Sequence, residues 1–219
     1  MLPVVGMGGI GKTTLAQLVY NHPTFASQFQ IKIWVCVSVN SDVLNLTREM
    51  LECVSEQKQT EIGNLIELQE DLEKRMESKR FLIVLDDVWG DMNEHSWNNL
   101  IAPLRRNQVM GNVIVVTTRR LHVAEMTGIV EPVKLDGLEK EDLWLLFVAC
   151  AFGDEKHQVH PSVYSTWKQI AQKLSGSPLE AKTVGAILGR EISIDHWTDV
   201  LNSSEEWKSQ WDGGGICLP

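Results

Sequence analysis

Eight residues near the start of the chain, Gly6-Met7-Gly8-Gly9-Ile10-Gly11-Lys12-Thr13, have the types and spacing of a phosphate-gripping loop, G-x-x-x-x-G-K-[ST]. The chemistry is that of the main chain. Gly8, Gly9 and Gly11 can take positive φ, so consecutive N–H groups can point into one concavity. The helix that follows adds roughly half a positive charge at its N-terminus. Lys12 offers an ammonium to the β- and γ-phosphates of a nucleotide, and Thr13 offers a hydroxyl to Mg²⁺, a hard ion that takes oxygen ligands. Gly6, Met7, Gly8, Gly9, Ile10, Gly11, Lys12, Thr13 and Thr14 are the candidate binding residues of this loop.

A Mg²⁺ site at Thr13 calls for a carboxylate facing it. Asp86 ends an apolar run and would stand at the C-terminal edge of a strand, where open α/β sheets place their ligands. Thr13 and Asp86 are therefore the metal candidates, with Asp86 in water-bridged contact. Asp87 follows, placed to orient or deprotonate an attacking water, although neighbours on a strand point to opposite faces. In one class of phosphate-loop proteins the next strand lies between the loop strand and the carboxylate strand. Arg119, at the end of residues 112–118, would then face the γ-phosphate and sense it or stabilise charge developing on it. Asp86, Asp87 and Arg119 form the catalytic set. Arg120 reads as a solvated neighbour.

The elements that must carry these groups follow from periodicity. Residues 2–5, 31–38, 80–86, 112–118 and 131–135 read as strands, and 80–86 and 112–118 are continuous apolar runs of the kind buried on both faces of a parallel sheet. Helices are expected from Lys12 to about Tyr20, with Leu15, Leu18 and Val19 on one side, and over 43–56, 64–78 and 94–105. Alternating strands and helices give right-handed crossovers and an α/β fold, a three-layer α/β/α parallel sheet of the P-loop NTPase type. After residue 137 only helices are expected, at 139–152, 162–175, 179–190 and 195–202. The division is thus residues 1–137 as an α/β nucleotide-binding domain and 138–219 as a small helical subdomain. The short first strand reads as clipped, and the uncapped end from Gly213 to Pro219 reads as a cut chain.

Composition narrows the function. The 219 residues are 43% hydrophobic and 22% charged, which excludes disorder and fibrous repeats. No apolar run is long enough to span a bilayer, and no signal peptide is read at the start. The net charge is −9; residues 1–120 hold 14 acidic and 12 basic residues, and 121–219 hold 15 and 8. Neither part offers a basic face, so direct nucleic-acid binding is disfavoured. Cys36, Cys53, Cys150 and Cys217 are widely spaced, which suits a reducing cytosol rather than a zinc site or disulfide scaffold. The six histidines read as surface residues, and Trp34, Trp97, Trp144, Trp167 and Trp197 as core.

Taken in order, these motifs resemble the NB-ARC domain of plant disease-resistance proteins of the nucleotide-binding, leucine-rich-repeat class. The resemblance is carried by Val5 through Leu15, Trp34 through Ser38, Phe81 through Trp89, Val116 through Arg119, and Leu135 through Leu138 leading to Asp142 through Phe147. Trp89, closing Asp86-Asp87-Val88-Trp89, resembles the mark of members with an N-terminal coiled coil rather than a TIR domain. Gly176-Ser177-Pro178-Leu179 is similar to the family's Gly-Leu-Pro-Leu motif, with serine in place of leucine. By that likeness Pro178 joins the binding set as the residue that packs near the adenine, and the helical part becomes an ARC-like subdomain.

The resemblance implies a cytoplasmic immune switch, held off by ADP, turned on by exchange for ATP, and reset by slow Mg²⁺-dependent hydrolysis. It implies as partners the coiled coil and leucine-rich repeats of a full-length receptor, and self-association on activation. Two other readings stay open from the residues themselves. One is a P-loop phosphotransferase or ATPase acting on a small molecule, which the single arginine of 139–219, Arg190, disfavours. The other is an inactive truncated remnant.

Overall fold

In a computed structural model, residues 1–37, 42–55, 64–153, 165–166, 169–170, 174, 176–191 and 193–211 are described, side chains of 203–211 excepted. Cα proximity divides the chain into two units: Met1–Gly6 with Lys12–Leu135, and Met7–Gly11 with Asp136–Pro219.

The first unit is built on five strands: β1 (Leu2–Val5), β2 (Ile31–Cys36), β3 (Phe81–Val88), β4 (Val113–Thr118) and β5 (Val133–Lys134). All pair in parallel, in the order β2-β3-β4-β1-β5. β4 lies between β1 and β3, so the loop strand and the carboxylate strand each border the strand that ends at Thr118. The alternation of side chains along β3 shows why its sequence is apolar throughout. Phe81, Ile83 and Leu85 pack on one face with residues of α3 (Val43–Val54), α4 (Leu65–Met76) and α5 (Glu94–Arg105). Leu82 and Val84 pack on the other with Ala16 of α1 (Lys12–Asn21), and Phe25 of α2 (Pro23–Ala26) joins that side. The fold is the three-layer α/β/α arrangement expected from the strand and helix alternation.

Three of these helices start where the sequence supplies a cap. Asp42, Asn64 and Asn93 accept the N–H groups of Asn45 (2.7 Å), Glu67 (3.0 Å) and Ser96 (2.8 Å), each satisfying a donor that the helix itself cannot. In α1 the inward face is Ala16 with Leu15 beside it, and Leu18, expected on one side of the helix with Leu15 and Val19, is 66% exposed. At about 100° per residue Leu18 stands roughly 200° around the helix from Ala16, on the far side. Two short helices went unread from periodicity: α2, and α6 (Leu121–Thr127), too short to display a full amphipathic repeat.

In the second unit, α7 (Lys140–Phe152), α8 (Pro178–Leu188) and α9 (Ile194–Trp211) share a core of Phe147, Val148, Ala151, Val184, Leu188, Trp197 and Val200. Trp197 is fully buried, packs edge-on against Phe147 at 5.7 Å, and donates its indole N–H to Leu188 O at 3.2 Å. A buried tryptophan with its polar handle satisfied is a strong local anchor. Helix 162–175, Trp167 and the Gly213–Pro219 end fall wholly or largely outside the described residues.

Trp97 on α5 is equally buried, at 1% exposure, yet its indole N–H meets no acceptor among the described residues. Among the described residues its contribution is volume, with no hydrogen bond. Trp97→Phe should cost less than about 1.5 kcal/mol and Trp97→Ala about 3–5 kcal/mol in urea unfolding. A phenylalanine variant as damaged as the alanine one would show that the indole nitrogen has a partner.

Candidate functional site

The C-terminal ends of β1, β3 and β4 converge on one cluster of polar groups in the first unit. Asp86 is its centre. The carboxylate is 6% exposed, and the Thr13 hydroxyl reaches both of its oxygens, at 2.9 and 3.0 Å. The fully buried Thr117 hydroxyl donates to its Oδ1. A carboxylate this buried needs such donors, because leaving it unpaired would cost more than folding can spare.

The local backbone explains how two adjacent aspartates reach the same edge. Leu85 pairs with Val116 and Val88 with Thr118, so β3 spends three steps where β4 spends two. That is a β-bulge, and Asp87 sits in it with φ of 55°. Aspartate tolerates this left-handed conformation better than most residues. The Asp87 N–H donates to Thr117 Oγ1 at 2.8 Å, which pins the bulge to β4. Strict alternation, the basis for sending Asp87 to the face opposite Asp86, is broken at this point.

Asp87 faces Arg119. The guanidinium donates from Nε to Oδ1 at 3.3 Å and from Nη2 to Oδ2 at 3.1 Å, while its Cζ lies 5.0 Å from the centre of the Trp89 ring. Asp86, Asp87 and Arg119 therefore gather with Thr13 in one place. Arg120 is exposed.

Lys12 opens α1 and is only 6% exposed; its ammonium donates to Gly6 O at 2.9 Å. Burial pushes its pKa below the ordinary 10.5. The Asp87 carboxylate acts against that fall, Arg119 reinforces it, and Asp86 opposes it more weakly. Directly after β1, the Gly6 N–H donates to Thr118 O of β4 at 3.3 Å. Thr14 is exposed on α1.

The loop residues Met7–Gly11 belong to the second unit. Met7 is exposed and Ile10 buried, with the Ile10 N–H donating to Met7 O at 3.4 Å. Gly9 and Gly11 have φ of 72° and 106°, so the requirement for glycine is conformational at both. At Gly9 it is also steric, since a Cβ there would lie 2.6 Å from Leu179 Cβ. Pro178 is at the first turn of α8, where its missing N–H costs nothing. The α8 terminus holds the loop through residues on either side of it. Leu179 N–H donates to Gly9 O at 3.2 Å and the Ser177 hydroxyl to the same oxygen at 3.4 Å.

The residues fit the groups that such a loop takes. Within the first unit, the buried Lys12 at the start of α1 is a positive group that suits phosphate; within the loop, Gly9 and Gly11 take the positive φ that a phosphate-wrapping backbone needs. The Thr13 hydroxyl beside the Asp86 carboxylate is a hard oxygen pair that suits Mg²⁺ with water completing its shell. No cluster of three or more His, Cys, Asp or Glu side chains suited to a metal occurs among the described residues. Sequence reasoning missed Thr117 and Ser177 as site residues and gave Trp89 no physical task. The signal for Thr117 was register: it lies one residue before the end of the strand that borders the carboxylate strand.

A family model described as the NB-ARC domain matches residues 1–157. The chain is 38% identical over 203 residues to disease resistance protein RGA2 of Solanum bulbocastanum, covering 93% of this chain and 21% of that protein. It spans about a fifth of the length of the curated relatives it matches. Among solved structures it is similar to the Aeropyrum pernix ORC1 protein in complex with DNA, at a TM-score of 0.65 and 19% identity, covering 94% of this chain and 59% of that one. It is also similar to the Aeropyrum pernix ORC2 protein solved as ADPNP–ADP complexes, at a TM-score of 0.63 and 12% identity, covering 92% and 60%. At those identities the likeness concerns the fold. The loop, the bulged carboxylate strand and the family match over most of the chain lead to one conclusion: this chain belongs to the NB-ARC domain family found in plant disease-resistance proteins.

Proposed function

We propose that the chain is the ADP- and ATP-binding switch module of a cytoplasmic plant immune receptor, with ADP as the resting ligand and ATP as the activating one. Residues 1–137 serve as the nucleotide-binding domain and 138–219 as an ARC-like helical subdomain. The coiled coil, the leucine-rich repeats and self-association on activation belong to the full-length receptor. The observation that carries the reading is the Thr13–Asp86–Thr117 cluster directly after a buried Lys12. No helix among the described residues is long and apolar enough to cross a membrane.

The residues divide the work. Main-chain N–H groups of Gly6, Met7, Gly8, Gly9, Ile10 and Gly11 surround the phosphates, Lys12 neutralises them, and Thr14 continues the helix start. Pro178 packs near the adenine. Thr13 and, through water, Asp86 would hold Mg²⁺, which would supply charge neutralisation to the nucleotide's phosphates. Asp87 orients or deprotonates the hydrolytic water, and Arg119 senses the γ-phosphate. Any hydrolysis is slow and resets the switch. A switch of this kind works only if the two nucleotides bind the two conformations unequally.

Calorimetry with ADP and ATP on the 219-residue chain tests the reading, and absence of binding to a folded chain would overturn it. Lys12→Ala should weaken both nucleotides roughly 10- to 100-fold, the value of charge-assisted hydrogen bonds to phosphate. Equal affinity in the variant would contradict that role. Asp86→Ala should mainly weaken Mg²⁺-dependent hydrolysis, read as phosphate release with and without Mg²⁺, and should cost about 1–3 kcal/mol of stability by leaving Thr13 and Thr117 without their acceptor.

The buried Lys12 gives a pH test without nucleotide. Its folded pKa lies below the unfolded value, so protonation is disfavoured by folding and stability rises as pH climbs through the lowered pKa toward 10.5. Lys12→Met should be the more stable chain at pH 7 in urea unfolding, and the gap should narrow at alkaline pH. A gap that is constant with pH would show that Lys12 burial carries no charge penalty.

A further inference from the structure

We propose that Asp87 and Trp89 dock the Arg119 guanidinium, that a terminal phosphate must compete it away from them, and that through Arg119 these two residues set the preference of the site between diphosphate and triphosphate. The inference rests on the nucleotide reading above and deepens it. Asp87 and Trp89 act here as positioning residues, in addition to any task Asp87 has with water.

The geometry is specific. Asp87 presents both carboxylate oxygens to two nitrogens of Arg119, at 3.3 and 3.1 Å, a planar fork that lysine could not reproduce. It can do so because the bulge gives Asp87 its left-handed backbone and turns the carboxylate along the sheet edge. The Trp89 ring provides the second side of the dock, 5.0 Å from Cζ, where a guanidinium is drawn to the ring face. Trp89 follows β3 directly, so one short stretch, Asp87 to Trp89, supplies both the charge and the platform.

The dock is built to open. The Arg119 and Asp87 side chains are 37% and 36% exposed, so solvent screens the pair and holds its strength down. Both charges also act on the buried Lys12 ammonium, the group that would neutralise phosphate. A terminal phosphate carries more charge than a carboxylate and would draw Arg119 off. Asp87 would then be left without its counter-ion and free to act on water. Docking thus weights the site toward the diphosphate, and its release couples sensing to hydrolysis.

The test measures ADP and ATP affinities, with Mg²⁺, for the 219-residue chain and its variants. Asp87→Asn should raise the ratio of ATP to ADP affinity roughly threefold to tenfold. Trp89→Ala, which changes no charge, should raise it about twofold to threefold, with Trp89→Phe close to wild type. In an Arg119→Ala background neither substitution should change the ratio. Persistence of the Asp87→Asn effect there would mean direct repulsion of phosphate, and would overturn the docking role. Nitrogen NMR of the nucleotide-free chain reads the dock separately. The Arg119 Nε–H resonance, assigned with Arg119→Lys, should carry a ring-current shift that Trp89→Ala removes, and should move with Asp87→Asn. A resonance at the solvated-arginine position, unmoved by both, would overturn the dock even if nucleotide binds. A docked resonance in a chain that binds neither nucleotide would overturn the nucleotide reading and the preference while leaving the dock standing.

Discussion

One buried carboxylate organises the C-terminal edge of the sheet. Asp86 accepts from Thr13 at the start of α1 and from Thr117 near the end of β4, so it joins the first helix, β3 and β4 through two hydroxyl groups. Burying a charge is costly unless donors surround it. The threonines supply them, and the same arrangement places two hard oxygens side by side where Mg²⁺ would be held. The fully buried Thr117 then does a second job by accepting the Asp87 N–H, which fixes the bulge that gives Asp87 its orientation.

The bulge decides much of the electrostatics. Without the extra residue, Asp86 and Asp87 would point to opposite faces of the sheet. With it, the edge carries Asp86 turned inward to threonine hydroxyls and Asp87 turned to Arg119 and half exposed. Two carboxylates of identical composition thereby acquire different partners and different burial. Lys12 feels the result directly: burial lowers its pKa, Asp87 and Asp86 resist that, and Arg119 adds to it.

Loop and helix chemistry meet again in the second unit. Gly9 has its carbonyl held by the Leu179 N–H and the Ser177 hydroxyl, and Ser177 is also the cap of α8, accepting the Glu180 N–H at 3.4 Å. A serine in this position uses one side-chain oxygen for both contacts, which leucine could not. Its departure from the family pattern is therefore a change of chemistry at a buried point; Ser177 is 2% exposed.

The loop from Gly6 to Thr13, the apolar β3 and β4 runs and the polar residues ending them were legible because each is a local statement. Glycine spacing reports backbone freedom, and a continuous apolar run reports burial on both faces. The existence of the α/β fold followed from their alternation. Leu18, Thr117 and the facing of Asp87 were not legible, since each depends on a neighbour distant in sequence. Leu18 is outward because Ala16, not a larger side chain, meets the sheet. Thr117 matters because of its register with β3, and Asp87 because one extra residue entered that register. By itself the sequence determined which groups could do chemistry and which elements would carry them. Only the tertiary structure decided which way those groups face, because hydrogen-bond partners are chosen by strand order and register, and a single inserted residue is enough to reassign them.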